Sequence, residues 1–140
     1  MLTVTKEVKF CYAHYLPDYK GPCSKLHGHN AKLQVTLQGD VDSETGMIED
    51  FSDLKKYLEF TILSLLDHNF INELAPDKFE ITSISDYITI SYARMIHNPT
   101  AENMVIFIAA YLIEKYGERL QKVRLYETDD SYAEWSDKCF

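Results

Sequence analysis

Two runs of alternating apolar residues constrain this chain more than any other feature of its sequence. From Leu2 to Tyr15, the residues Val4, Val8, Phe10 and Tyr12 fall on alternate positions, and within His29 to Gly39 so do Leu33, Val35 and Leu37. A period of two belongs to a strand with one buried face, so two strands are expected. The intervening Pro17-Asp18-Tyr19-Lys20-Gly21-Pro22 is rich in turn formers, which predicts antiparallel pairing around a long loop.

The period then changes. Between Asp50 and Leu66, the residues Leu54, Tyr57, Leu58, Ile62, Leu65 and Leu66 follow helical spacing, with Asp50 or Ser52 able to cap the start. A second helix is expected from Thr100, its cap, with an apolar stripe of Met104, Phe107, Ile108, Tyr111 and Leu112 and an end near Gly117. Two short strands, Lys122 to Thr128 and Ser131 to Ser136, follow around an Asp129-Asp130 turn. The expected order is ββααββ. Phe79 to His97 fits both a strand and a loosely amphipathic helix and is left unassigned.

With 140 residues, 46% of them hydrophobic, and no repeat or linker, the chain is expected to be one domain spanning 1–140 with a core that needs no disulfides. The formal charge of −8 removes the basic footprint of a nucleic-acid binder. No apolar run approaches a membrane span or a signal peptide, and the odd, irregularly spaced Cys11, Cys23 and Cys139 suit a reducing compartment. A cytoplasmic protein bound to neither membrane nor nucleic acid is expected.

Chemistry concentrates in a few positions. His27 and His29 in His27-Gly28-His29 are two residues apart on a strand, so both imidazoles project to one face. His14 ends the partner strand and could supply a third nitrogen, leaving a tetrahedral zinc one open position. The alternative is a set of ordinary strand-end histidines. Cys23 lies in a polar loop four residues before His27, where a nearby dication would favour its thiolate as base or nucleophile. Cys11 reads instead as a buried small hydrophobe in the first strand, and Cys139 as incidental. Asp67-His68 ends the first helix and suits either an acid–base dyad or a C-terminal cap. Glu102 has a bland role in a first helical turn, and Glu127 as a solvated carboxylate on a strand.

Taken in order, several motifs resemble the 6-pyruvoyl-tetrahydropterin synthase superfamily, and within it the queuosine-pathway, 6-carboxy-forming branch. They are Phe10-Cys11-Tyr12-Ala13-His14-Tyr15-Leu16-Pro17, Cys23-Ser24-Lys25-Leu26-His27-Gly28-His29, Gly46-Met47-Ile48-Glu49-Asp50-Phe51, Leu66-Asp67-His68-Asn69-Phe70-Ile71-Asn72, Asn98-Pro99-Thr100-Ala101-Glu102-Asn103 and Tyr126-Glu127-Thr128. The resemblance implies that His14, His27 and His29 bind zinc, that Cys23 is the catalytic base, and that Asp67 and His68 form the assisting dyad. It also implies that Glu127 anchors a pterin through its 2-amino group and N3–H, with Thr100 and Glu102 beside that pocket.

The fold implied is the α+β tunnelling fold, an antiparallel sheet with two helices on one face. Its subunits assemble into an oligomeric barrel, a homohexamer with active sites between subunits. The spacing from Cys23 to His27-Gly28-His29 resembles that of the carboxy-forming branch. The Phe79 to His97 segment departs from the family by its length. The implied reaction is a carbon–carbon lyase conversion of 7,8-dihydroneopterin triphosphate to 6-carboxy-5,6,7,8-tetrahydropterin, acetaldehyde and triphosphate. Lys25 and Lys20 could balance the triphosphate charge, or be ordinary solvated lysines. The alternatives are a pyruvoyl-forming, triphosphate-eliminating enzyme and a non-enzymatic pterin- or metal-binding module.

Overall fold

A computed structural model describes residues 1–16, 19–72, 92–94 and 98–137. The first two strands are longer than the alternation alone required. β1 (Leu2–His14) and β2 (His27–Gly39) pair antiparallel in an unbroken register from Leu2 opposite Gly39 to His14 opposite His27. Val8, Phe10 and Tyr12 of β1 and Ala31, Leu33, Val35 and Leu37 of β2 are buried, and the register sets Phe10 against Ala31 and Val8 against Leu33 on one face. That face carries the core. The outer face carries Thr5, Lys9, Gln34 and Lys32, and a Thr5–Thr36 hydroxyl hydrogen bond of 2.8 Å joins the strands there.

Cys11 belongs to the outer face, which corrects its expected burial. It lies between the buried Phe10 and Tyr12, and a period of two must turn it outward, where its thiol donates to Asn30 Oδ1 at 3.0 Å.

The first helical segment starts at Asp50, whose carboxylate accepts from the Ser52 and Asp53 amides. It runs as α1 (Phe51–Leu58), a π-helical stretch (Glu59–Leu63) and α2 (Ser64–Leu66). Its buried residues, Leu54, Leu58, Ile62 and Leu66, are spaced by four throughout. Steps of four overrun a 3.6-residue turn by about 40° each, and wider π turns bring the later residues back to the same side. Leu65, expected in the stripe, is turned out to 37% exposure.

α3 (Ala101–Tyr116) is capped by Thr100, whose hydroxyl oxygen accepts from the Asn103 amide, and ends at Gly117, where φ is +52°. Its buried face is Met104, Val105, Ile108, Ala109, Leu112 and Tyr116, so Phe107 is only partly buried and Tyr111 is exposed.

β5 (Leu120–Thr128) pairs with β2, and β6 (Ser131–Ser136) with β5, both antiparallel across the expected turn. The expected ββααββ order is present, with two further short strands. β3 (Asn69–Asn72) runs parallel to β1, and β4 (Tyr92–Arg94) parallel to β3, so the sheet is mixed rather than antiparallel throughout. Its order is β4-β3-β1-β2-β5-β6, with the helices packed on the core face. Pro17, Asp18, Cys139 and most of the unassigned Phe79 to His97 segment lie outside the described residues. No helix among the described residues is long and apolar enough to cross a membrane.

Candidate functional site

The alternation that builds the core also delivers the site. Beyond Phe10 and Ala31, the same face continues through Tyr12 opposite His29 and His14 opposite His27. The three imidazoles therefore converge where the apolar core ends. His14 Nε2 lies 3.0 Å from His27 Nε2 and 3.1 Å from His29 Nε2.

The other ring nitrogens explain why those atoms face inward. His14 Nδ1 lies 2.7 Å from the carbonyl of Pro99, and His27 Nδ1 lies 2.7 Å from that of Lys25. A carbonyl can only accept, so each Nδ1 carries the proton and each Nε2 presents a bare lone pair. Two bare lone pairs at this separation repel unless a cation lies between them. The spacing is close to the roughly 3.3 Å edge of a tetrahedron built on nitrogen–metal bonds of about 2.0–2.1 Å. Three imidazole donors, two of them on carbonyl-oriented rings, fit a divalent transition metal, so the triad could hold one.

The electrostatics favour the ligating form. Burial, reinforced by the neighbouring imidazoles, holds His14 below the ordinary histidine value against the opposing pull of Pro99 and Glu127. Burial first, with His27 adding, also lowers His29 against the pull of Glu127. Both are thus neutral at neutral pH, as a metal ligand must be.

Pro99 is placed by the turn that starts α3. The Thr100 amide and the Asn103 side chain both donate to the Asn98 carbonyl, at 2.7 and 2.9 Å, which leaves the next carbonyl aimed at His14. Thr100 therefore stands beside the triad as the cap of α3. Glu102 does not: it is exposed and lines a different cavity with Ile106, Tyr132 and Trp135.

Glu127 follows Val123 and Leu125 on the inward side of β5, so it is not the solvated strand carboxylate that its type suggests. Its Oε1 accepts from the Tyr12 hydroxyl at 2.9 Å and lies 3.8 Å from His14 Nε2. Tyr12 is 3% exposed, and burial followed by the Glu127 charge pushes its phenol far up, so it remains a donor. Its ring also meets His14 edge-on, with centroids 5.1 Å apart, and His29 at 5.5 Å. Tyr12 and the Pro99 carbonyl are the parts of this site that residue types alone did not single out. The position of Tyr12, two residues before His14 in one alternation, was a usable signal.

Cys23 sits in a 3-10 turn (Pro22–Ser24), a free and partly buried thiol. Its carbonyl accepts from the Leu16 amide at 2.8 Å, which fastens the turn to the chain just beyond His14. The converging ligand atoms are those of the histidines alone among the described residues.

Asp67 and His68 are paired, with His68 Nδ1 2.9 Å from Asp67 Oδ1. The same carboxylate oxygen accepts from the Cys11 amide at 3.0 Å, and the His68 amide donates to the Cys11 carbonyl at 2.7 Å. His68 is the only non-glycine at positive φ among the described residues, at +58°, a conformation that costs about 1–2 kcal/mol. Its side chain is 82% exposed and lines a cavity of about 380 Å³ with Lys9, Cys11, Asn30 and Lys32. Those are outer-face residues. Within one chain, then, the dyad and the histidine triad lie on opposite faces of β1.

The sequence profile of the 6-pyruvoyl tetrahydropterin synthase family matches residues 3–138. The chain belongs to that family. Among similar family members is the 6-carboxy-5,6,7,8-tetrahydropterin synthase of Haemophilus influenzae, 34% identical over 98% of this chain and 100% of that protein. The 6-pyruvoyl tetrahydrobiopterin synthase of Homo sapiens is 33% identical over 86% of this chain and 77% of that protein. The solved structure of the Caenorhabditis elegans 6-pyruvoyl tetrahydropterin synthase superposes with a TM-score of 0.71 at 25% identity, covering 98% of this chain and 96% of that one.

Proposed function

We propose that this family member is a zinc-dependent 6-carboxy-5,6,7,8-tetrahydropterin synthase acting in 7-deazaguanine (queuosine) biosynthesis. It would convert 7,8-dihydroneopterin triphosphate and water to the 6-carboxy product, acetaldehyde and triphosphate. The observation that carries this reading is the convergence of three Nε2 atoms beside a half-buried carboxylate, in a chain whose full-length similarity includes synthases of that name.

His14, His27 and His29 would hold the zinc, whose chemistry is to polarise the side-chain hydroxyls and stabilise alkoxide charge. Glu127 offers the pterin a carboxylate able to accept from its 2-amino group and N3–H together. Thr100 would border that pocket, and Glu102, which within one chain lines another cavity, would join it only across a subunit boundary. Cys23, as thiolate, would remove a side-chain proton, with the dihydropterin imine taking up the electron density. His68, oriented by Asp67, would relay protons during isomerisation and carbon–carbon cleavage. The ring is reduced as the side chain is oxidised, so no redox cofactor enters.

The opposite placement of dyad and triad supports sites shared between subunits of a homo-oligomer, a cytoplasmic hexameric barrel of single-domain chains. Among the described strands, β6 ends the sheet on one side, where a neighbour can pair. A pyruvoyl-forming reaction at the same site is the second reading, favoured by the similarity to the human synthase. The C-x3-H-G-H spacing supports the first. Incubation with 7,8-dihydroneopterin triphosphate, followed by mass spectrometry and an aldehyde assay, decides between them. A 6-carboxy product with acetaldehyde is expected; a 6-pyruvoyl product without acetaldehyde would move the assignment.

A further inference from the structure

Glu127 lies within reach of two competing partners. Its Oε1 is 3.8 Å from His14 Nε2, so an ion held by the three Nε2 atoms would have a carboxylate beside its open position. Carboxylates are good zinc ligands, and three histidines plus one carboxylate make a closed four-coordinate centre, the arrangement of a structural site. Such closure would remove both the open position and the pterin anchor. The same Oε1 is the atom that accepts the Tyr12 hydroxyl, at 2.9 Å.

We propose that Tyr12 is a positioning residue that keeps Glu127 off the metal, reserving its carboxylate for the ligand and the fourth coordination position for chemistry. Three features support this. The Tyr12 side chain is fixed: it is buried on β1 between Phe10 and His14, and its ring packs against both His14 and His29. Its hydroxyl therefore has little freedom to follow a moving carboxylate. It can only donate to Glu127, since an ionised carboxylate accepts and does not donate. Finally, β1 and β5 are not direct neighbours, because β2 lies between them. The Tyr12–Glu127 bond is thus a side-chain brace across β2, independent of the backbone ladder.

The inference rests on the reading of Glu127 as a pterin anchor, and the test separates the two. Cobalt(II) is loaded into the wild type, Y12F, Tyr12→Met and Y12F/E127Q proteins. Visible spectra then report the ligand set, and neopterin binding is followed by fluorescence. Both variants at Tyr12 should show changed cobalt bands and at least about tenfold weaker neopterin binding, as expected when an anchor loses its orientation. Y12F/E127Q should return to the wild-type bands, because glutamine is a poor replacement for a ligating carboxylate. Wild-type bands and undiminished neopterin affinity in both Tyr12 variants would overturn the proposal, as would changed bands that persist in Y12F/E127Q. If the wild type binds cobalt but not neopterin, the pterin reading falls, and the spectra still decide whether Tyr12 keeps Glu127 off the metal.

Discussion

Each histidine of the triad contributes one of three converging nitrogens, backbone carbonyls orient the rings of His14 and His27, and the nearby Glu127 carboxylate is engaged by Tyr12, so loss of one ring removes a donor that is not readily replaced. His27→Ala is expected to take bound zinc from about one ion per chain to near none by elemental analysis, with the β1–β2 ladder intact. Cys23→Ala tests a different property. Its turn is held by main-chain bonds, so the variant should keep its zinc and lose about 10²- to 10⁴-fold in turnover in a steady-state assay. Histidine burial also sets a pH dependence in the metal-free protein. His14 and His29 are lowered from 6.5, so as pH falls through 6.5 the unfolded chain takes up protons that the folded one resists. Stability from this source is complete above 6.5 and is lost below it, and the thermal midpoint of the metal-free protein should fall between pH 7.5 and pH 5.

At the scale of the element, hydrophobic period was a sufficient guide to element type wherever several successive inward positions are buried. That condition holds for the second half of β1, for β2 and β5, and for α3, whose buried stripe nonetheless takes Val105 and Ala109 in place of Phe107 and Tyr111. Along the strands it carried the histidines with it, since His14, His27 and His29 continue the inward alternation. It fails for β3 and β4, which are four and three residues long and exist because the edge of β1 offers β3 a parallel partner and β3 in turn offers one to β4. A period cannot be read from one repeat. Nor could residue type tell Glu127 from a solvated carboxylate, because what distinguishes it is the Tyr12 hydroxyl across the sheet. The π-helical stretch is a third case: spacing alone admitted Leu65 to the stripe, and the wider turn excluded it. Ile62→Ala should therefore cost about 2–5 kcal/mol in urea unfolding, and Leu65→Ala within about 0.5 kcal/mol.

For the whole molecule, the division of chemistry between the two faces of β1 has a direct test. Cys23→Ala leaves the dyad untouched, and His68→Ala leaves the triad and Cys23 untouched. If sites are shared between subunits, each variant alone should be nearly inactive, while mixed assemblies contain some sites with every group intact. Activity should reappear when the two are dissociated, mixed and reassembled, with light scattering confirming the oligomer. A site complete within each single chain would give no recovery.

The unbroken β1–β2 ladder has a consequence for how an ion arrives. Its thirteen residue pairs end at His14 opposite His27, so the ligands stand on the same hydrogen-bonded frame as the core and not on a loop that must close. Loading then needs no chain rearrangement, and its rate is governed by how fast the incoming ion sheds water. Amide hydrogen exchange should follow the same logic. Protons of Val8 to Tyr12 and Ala31 to Val35 should exchange as slowly without metal as with it, while the Pro22–Ser24 turn, held by a few main-chain bonds, is where occupancy alters protection.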